Sequence, residues 1–133
     1  MKYLFKIGDI KVYKRKVTME DQAIFHGEVL HKVCSTFALA RDMEWSSRLF
    51  FIEMKEEDEE GVGTHLSIDH CNPAFVGDEL VITATVAQLR DNELICDILV
   101  KVEERIIATG KTGQRMLKKE RLNQIFTRGQ HNK

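Results

Sequence analysis

Proline is nearly absent from this chain: Pro73 is the single one in 133 residues, so long disordered linkers are not expected. Cysteine is scarce and odd in number. Cys34, Cys71 and Cys96 include no C-x-x-C pair, which argues against a disulfide framework and for reduced, buried thiols in a cytoplasmic protein. Net charge is almost missing too. Twenty basic against 21 acidic residues give -1, which makes no electrostatic case for nucleic acid or an anionic membrane. The opening stretch from Met1 to Lys6 lacks the apolar run of a signal peptide, and no segment approaches the roughly 20 apolar residues of a membrane span. No internal repeat is visible. What remains is one ordinary domain over 1-133, 43% hydrophobic and long enough for a real core. Residues 1-11 read as an N-terminal strand or extension and 118-133 as a polar tail expected to fray.

The stretch around which the rest is arranged begins at Cys34 and reads as a helix continuing to about Met54. Ser35 or Thr36 can cap it, because a hydroxyl accepts a bond from an orphan backbone N–H. Leu39, Ala40, Met43, Phe50, Phe51 and Met54 share one apolar arc, and Glu44 falls near its margin. A smaller stripe of Ala38, Trp45, Leu49 and Ile52 lies roughly opposite. A helix that is apolar on two sides is expected to be covered twice, by a sheet and by a second layer or subunit.

Strand patterns surround the helix. Before it, Ile10 and Val12 alternate with Asp9, Lys11 and Tyr13 as in a half-exposed strand, and Met19 to Gly27 reads as a turn and short helix. After it, the acidic run from Glu56 to Glu60 reads as a solvated loop; the alternating ligands of a calcium-binding EF-hand are absent. Four strands follow, over Thr64 to Cys71, Leu80 to Leu89, Leu94 to Val102 and Ile106 to Leu117. Tight turns at Asp91-Asn92 and Glu103-Glu104 make them an antiparallel meander. One long helix plus a meander is an α+β domain with the sheet curled around the helix.

Several residues could carry chemistry. His65 and His70 are separated by an odd number on a strand, point to opposite faces and cannot hold one metal ion without a bulge. His70 shares its face with Leu66 and Ile68. It is either a hydrogen-bonded core histidine or a partner for Glu44, since an imidazole beside a carboxylate supplies one group that attacks or takes a proton and one that orients it. Glu44 in turn is placed four residues before Arg48, the favourable order for an ordinary helical ion pair. Thr36 is a cap or a hydroxyl set beside developing negative charge at the helix N-terminus. Gly61-Val62-Gly63-Thr64 is a plain turn or a backbone that approaches a ligand closely. Gly110-Lys111-Thr112 echoes the end of a phosphate-binding loop, but its upstream glycine would fall at Arg105 and the segment continues a strand, so nucleotide binding is rejected.

At the spacing of Thr36, Glu44, Gly63 and His70 the chain resembles the fluoroacetyl-CoA thioesterase-like branch of the hotdog-fold superfamily. The matching segments are Val17 to Asp21 with His26-Gly27, Cys34 to Thr36 through Met43-Glu44, Val62 to His70, Val76 to Leu80, and a closing strand around Ile107 to Met116. The resemblance implies a hotdog fold, a curved antiparallel sheet wrapped around one long central helix, in a homodimer or tetramer with sites near the subunit interface. It implies hydrolysis of an acyl-CoA thioester, with Thr36, Glu44 and His70 catalytic and Gly63 on the substrate side. Coenzyme A then enters as part of the substrate, and no metal or redox cofactor is required. Similar proteins often end the last strand with Gly-Thr-His-x-Arg; here counting from Gly110 puts Gln114 at the arginine's place and Arg115 one residue later, on the other face. Either a bulge at Gly113 restores Arg115 or this contact is absent, so Thr64, Gln114 and Arg115 stand as candidate substrate contacts.

These residues suggest that Glu44 attacks the thioester carbonyl or activates a water, with His70 orienting the reacting groups over a shared hollow and Thr36 bonding nearby. A domain that binds an acyl-CoA without turning it over is the alternative. Hydration or dehydration of an acyl thioester would require a differently patterned motif that is not found.

Overall fold

The expected helix, α1, runs from Thr36 to Met54 in a computed structural model that describes residues 1–131. Ser35 is its cap: the side chain accepts a bond from the Ala38 N–H at 3.0 Å. This frees the Thr36 hydroxyl for other work. Leu39, Met43, Phe50, Phe51 and Met54 are buried, as the main apolar arc requires, and each large side chain removed from water stabilises the fold by about 1.5–3 kcal/mol. The second stripe divides. Ala38 is buried, while Trp45 and Ile52 remain 44% and 46% exposed, and Phe37 beside them 79%.

The described residues form seven strands: β1 (Ile10–Lys16), β2 (Gln22–Phe25), β3 (Glu28–Cys34), β4 (Glu59–His70), β5 (Glu79–Arg90), β6 (Glu93–Val102) and β7 (Arg105–Lys118). Five form one antiparallel sheet in the order β1-β5-β6-β7-β4, and α1 packs against it. The strict alternation in β5 and β6 buries Leu80, Ile82, Ala84 and Val86 opposite Leu94, Cys96, Ile98 and Val100. Asp91 and Glu103 take positive φ in the connecting turns. Among the described residues no helix is long and apolar enough to cross a membrane.

Four expectations change. Met19 to Gly27 holds one short 3-10 turn at Met19–Asp21 and then a hairpin, β2–β3, whose two-residue turn is His26-Gly27 with φ of 53° and 79°. The run is too short to show period two, and its hairpin signal is the His-Gly pair. Glu59 and Glu60 open β4 rather than end a loop, and Glu59 is buried against the Met1 amino group at 2.9 Å. Cys34 and Cys96 are buried, but Cys71 is exposed. Burial pushes the Cys34 thiol up to about 11 and the Cys96 thiol to about 12. The polar tail forms α2 (Lys119–His131), a helix with no buried residue; residues 132 and 133 of that tail lie outside the described part.

β1 also turns its polar side inward. Ile10 and Val12 are exposed, while Lys11 and Arg15 reach α1, where Lys11 bonds Glu53. Arg15 meets Asp42 on α1 and Asp21 ahead of β2, each at 2.7 Å, and Arg41 joins both acids at 3.1 and 3.3 Å. Two arginines and two buried aspartates thus tie the start of α1 to the sheet edge. Burial alone would push the Asp21 carboxyl up, but bonds from Arg15, Thr18 and Arg41 outweigh it and hold it down at about 2. A carboxyl held below its ordinary value of 3.8 stabilises the fold fully above that value and loses the contribution as pH falls toward the lower one. Thermal unfolding followed by circular dichroism should therefore show the midpoint dropping as pH falls from about 4 to about 2. Asp21→Asn, less stable at neutral pH, should drop less across that window; equal drops would refute the assignment.

Candidate active site

α1 carries Thr36 in its first turn and Glu44 two turns on, while β4 carries Gly63 and His70 alongside. A strand of strict period two would put residues 63 and 70 on opposite faces. β4 avoids this with an extra residue. Gly63 pairs with Gln114 and His65 with Gly113, so Thr64 is unmatched and the alternation shifts by one. Gly61 and Gly63 before the bulge, and Leu66 and His70 after it, consequently all face α1. Of the two alternatives for Gly113, no bulge there restores Arg115; the irregularity lies at Thr64, on the neighbouring strand. Pairing of β6 with β7 passes Gly113 without interruption.

Two bonded groups result. Thr36 Oγ1 and His70 Nδ1 lie 2.9 Å apart. That bond ties down one ring nitrogen and leaves the other, Nε2, buried and without a partner among the described residues. Such an orphan is costly unless something arrives to meet it. Glu44 belongs to the second group. Its Oε1 accepts from Arg48 Nη2 at 3.3 Å, the helical ion pair read from spacing. Thr36 and Glu44 are eight residues apart on α1, about 12 Å along the axis. Within one chain the site residues are therefore brought together in part: Thr36 with His70, and Glu44 with Gly63, while Glu44 and His70 make no bond to each other.

Glu44 separates two hollows. One, of about 440 Å³, is lined by Phe37, Ala40, Arg41, Trp45, Arg48 and Leu66 as well as Glu44. The other, of about 370 Å³, runs over the edge of β4 at Gly63, Thr64, His65 and Leu66. The carboxylate rests on bare backbone: a Cβ built on Gly63 would fall 2.6 Å from Glu44 Oε1. Hence the glycine is needed for close approach, here of an acid as well as of any ligand.

Gln114 and Arg115 part company. Gln114 is fully buried beneath α1, donating from Nε2 to Ser47 Oγ at 2.6 Å and to the Glu44 carbonyl at 3.2 Å, and accepting from Arg48 Nε. Arg115 is on the other side of the sheet, half exposed and paired with Glu93 at 3.3 Å. Sequence reasoning missed Ser47 and the second role of Arg48; the signal was the Gly61-x-Gly63 doublet facing two helical residues four apart. His65 and His70 stay on opposite faces, and among the described residues no group of three or more His, Cys, Asp or Glu side chains is placed to hold a metal ion.

A family model described as fluoroacetyl-CoA-specific thioesterase matches residues 17–120. A search of curated proteins finds no match. Among solved structures, a thioesterase-superfamily protein from Thermus thermophilus is 25% identical with a TM-score of 0.89, over 96% of this chain and 94% of that one. A mutant of the fluoroacetyl-CoA-specific thioesterase FlK is 16% identical with a TM-score of 0.87, over 96% and 99%. A hot-dog-like protein from Thermanaerovibrio acidaminovorans is 21% identical with a TM-score of 0.85, over 94% and 93%. The last two similarities establish the fold, a hotdog. Mutants of FlK have also been solved with fluoroacetate and CoA, and with acetyl-CoA.

The glycine contacts separate site from scaffold. In Gly63→Ala the clashing atom is the far end of a flexible, half-exposed glutamate, so the thermal midpoint should change little while turnover falls about 10-fold or more as Glu44 is displaced. In Gly110→Ala the new Cβ would fall 2.1 Å from the Ser67 carbonyl oxygen, and the fold itself should lose about 3 kcal/mol. Calorimetry and a turnover assay on the same two proteins check this; equal loss of stability would refute it.

Proposed function

This chain belongs to the fluoroacetyl-CoA-specific thioesterase family and is an acyl-CoA thioesterase, and we propose that its active site is completed across a twofold axis, by Glu44 of one subunit with Thr36 and His70 of the partner subunit. The observation that carries the proposal is His70 Nε2, buried and orphaned among the described residues, beside a β4 edge on whose outer side those residues place no strand. β4 is exposed from Gly63 to Ser67, the middle of its span. Two such edges paired antiparallel about a point between Leu66 and Ser67 would set Gly63 opposite the partner's His70. Glu44, which rests on Gly63, would then face the imidazole that it does not reach in its own chain. Exposed Phe37, Trp45 and Ile52 on α1 add apolar surface for the same homodimer.

The chemistry follows from the groups present. A thioester is already an activated acyl donor, so its carbonyl needs a nucleophile, an oxyanion partner and a way to release the thiol. Glu44 Oε2, the oxygen with no bond of its own among the described residues, attacks the carbonyl carbon. The C–S bond breaks, coenzyme A leaves as a thiolate, and an acyl–Glu44 anhydride remains, which water opens to the free acid. With Thr36 donating to Nδ1, the neutral imidazole carries its hydrogen on Nε2 and steadies the departing thiolate with a hydrogen bond, while the water that opens the anhydride supplies the proton the sulfur finally takes. Glu44 activating a water for direct attack uses the same atoms. Backbone N–H groups near Gly63 or at the start of α1 supply oxyanion bonds, worth on the order of 3 kcal/mol each in comparable sites. Bound CoA and acetyl-CoA in FlK support this substrate class; the acyl group preferred here is not carried over from FlK, because Gln114 stands where an arginine is expected. Three cysteines without a disulfide support a reducing, cytoplasmic location.

Thiol release from a panel of acyl-CoA substrates tests the proposal. Glu44→Ala and His70→Ala should each fold and each lose turnover by about 100-fold or more. Mixing the two unfolded variants and refolding them together should restore about a quarter of wild-type activity. Half the dimers are then mixed, and one of the two shared sites in each is intact. No recovery in demonstrably mixed dimers would sink the shared site, while wild-type hydrolysis by Glu44→Ala would remove the role of Glu44 altogether. Thermal stabilisation by acyl-CoA without thiol release would favour a binding module instead.

A further inference from the structure

Arg48 and Gln114 belong to the same small machine as Glu44. β4 presents two glycines, Gly61 and Gly63, to α1. A Cβ on Gly63 would fall 2.6 Å from Glu44 Oε1 but 3.7 Å from Oε2, and one on Gly61 would fall 3.6 Å from both Cδ and Nε of Arg48. Two strand residues span about 6.6 Å and four helical residues about 6 Å, so the pair on α1 lies along the trough that the two glycines leave. Exposed ion pairs four residues apart hold their members loosely. This one is anchored from below.

The anchor is Gln114, directly opposite Gly63 on β7 and wholly buried. Its amide nitrogen gives one proton to Ser47 Oγ at 2.6 Å and the other to the Glu44 carbonyl at 3.2 Å. Both acceptors are on α1, which fixes the amide with its oxygen toward Arg48. A buried carbonyl oxygen needs a donor, and Arg48 Nε supplies it. The guanidinium, pinned through Nε, presents Nη2 to Glu44 Oε1 at 3.3 Å. One carboxylate oxygen is thereby held against the strand, and Oε2 has no bond among the described residues.

We propose that Arg48 is the positioning residue for Glu44 and that Gln114 acts through Arg48, selecting which carboxylate oxygen reacts. This rests on the reading of Glu44 as the reacting acid. It takes Gln114 out of the substrate contacts and explains why a neutral amide, rather than a second cation, serves at this place: a guanidinium there would lie against Arg48 and leave it without an acceptor.

The test is steady-state thiol release by Arg48→Ala, Arg48→Lys, Gln114→Met, the Arg48→Ala/Gln114→Met double variant and Glu44→Ala. In Arg48→Ala, kcat should fall about 10- to 100-fold with KM within about twofold, and millimolar methylguanidinium should restore turnover severalfold. Arg48→Lys should recover only part, because an ammonium lacks the rigid planar fork that fixes both bonds. Gln114→Met should lose kcat as Arg48→Ala does, and the double variant should lose no more than either single one. Wild-type kcat in Arg48→Ala, with Glu44→Ala inactive, overturns the positioning role and leaves Glu44 standing. Losses that multiply in the double variant overturn the link through Gln114. Activity retained in Glu44→Ala instead overturns the reading on which both depend. Should Gln114→Met fail to fold, the Arg48 variants and the methylguanidinium rescue decide the matter alone.

Discussion

The closeness of α1 to the β4–β7 edge of the sheet governs both stability and chemistry. Three glycines permit it. At Gly110 a side chain would strike the Met43 methyl at 2.5 Å and a strand carbonyl closer still; at Gly61 it would strike Phe51 at 2.7 Å; at Gly63 it would strike the Glu44 carboxylate. The first two contacts are with core and backbone, so they are conditions of folding. The third is with the mobile end of an acid, so it is a condition of where that acid rests. One packing constraint thereby serves as scaffold at two positions and as site geometry at the third.

Polar groups buried along α1 are organised by the same closeness. Ser46 and Ser47 bond back to carbonyls within the helix at 2.6 and 2.9 Å, and Gln114 adds a bond from the sheet to the Glu44 carbonyl. At the other margin, Asp42 is satisfied by Arg15 and Arg41, which also serve Asp21. Charges buried in this way contribute through mutual satisfaction more than through raw attraction, because each would be costly alone. They also fix the rotation of α1 about its axis, which determines that Glu44 points at Gly63 and Thr36 at His70.

The exposed features of a single chain make sense together in an assembly. An edge strand left open at its middle, an imidazole nitrogen with nothing to bond, and aromatic side chains on the outer face of the helix each leave something unsatisfied. A twofold pairing of β4 edges would meet all three at once, and would place the two halves of a hydrolytic site within reach of each other.

Much of this was legible in the amino-acid order. Period and capping determined α1 to within two residues, and strict alternation determined β5 and β6 down to their buried members; the spacing of Thr36, Glu44, Gly63 and His70 pointed to a candidate site, whose members one chain brings together only in part. Local patterns can do this because helix and strand periods depend on neighbours only a few residues away. The bulge at Thr64, the inward polar face of β1 and the choice of Gln114 over Arg115 were decided by the tertiary structure. Each depends on which atoms a side chain meets across the sheet, a matter of contacts between residues dozens of positions apart that no single-strand period encodes.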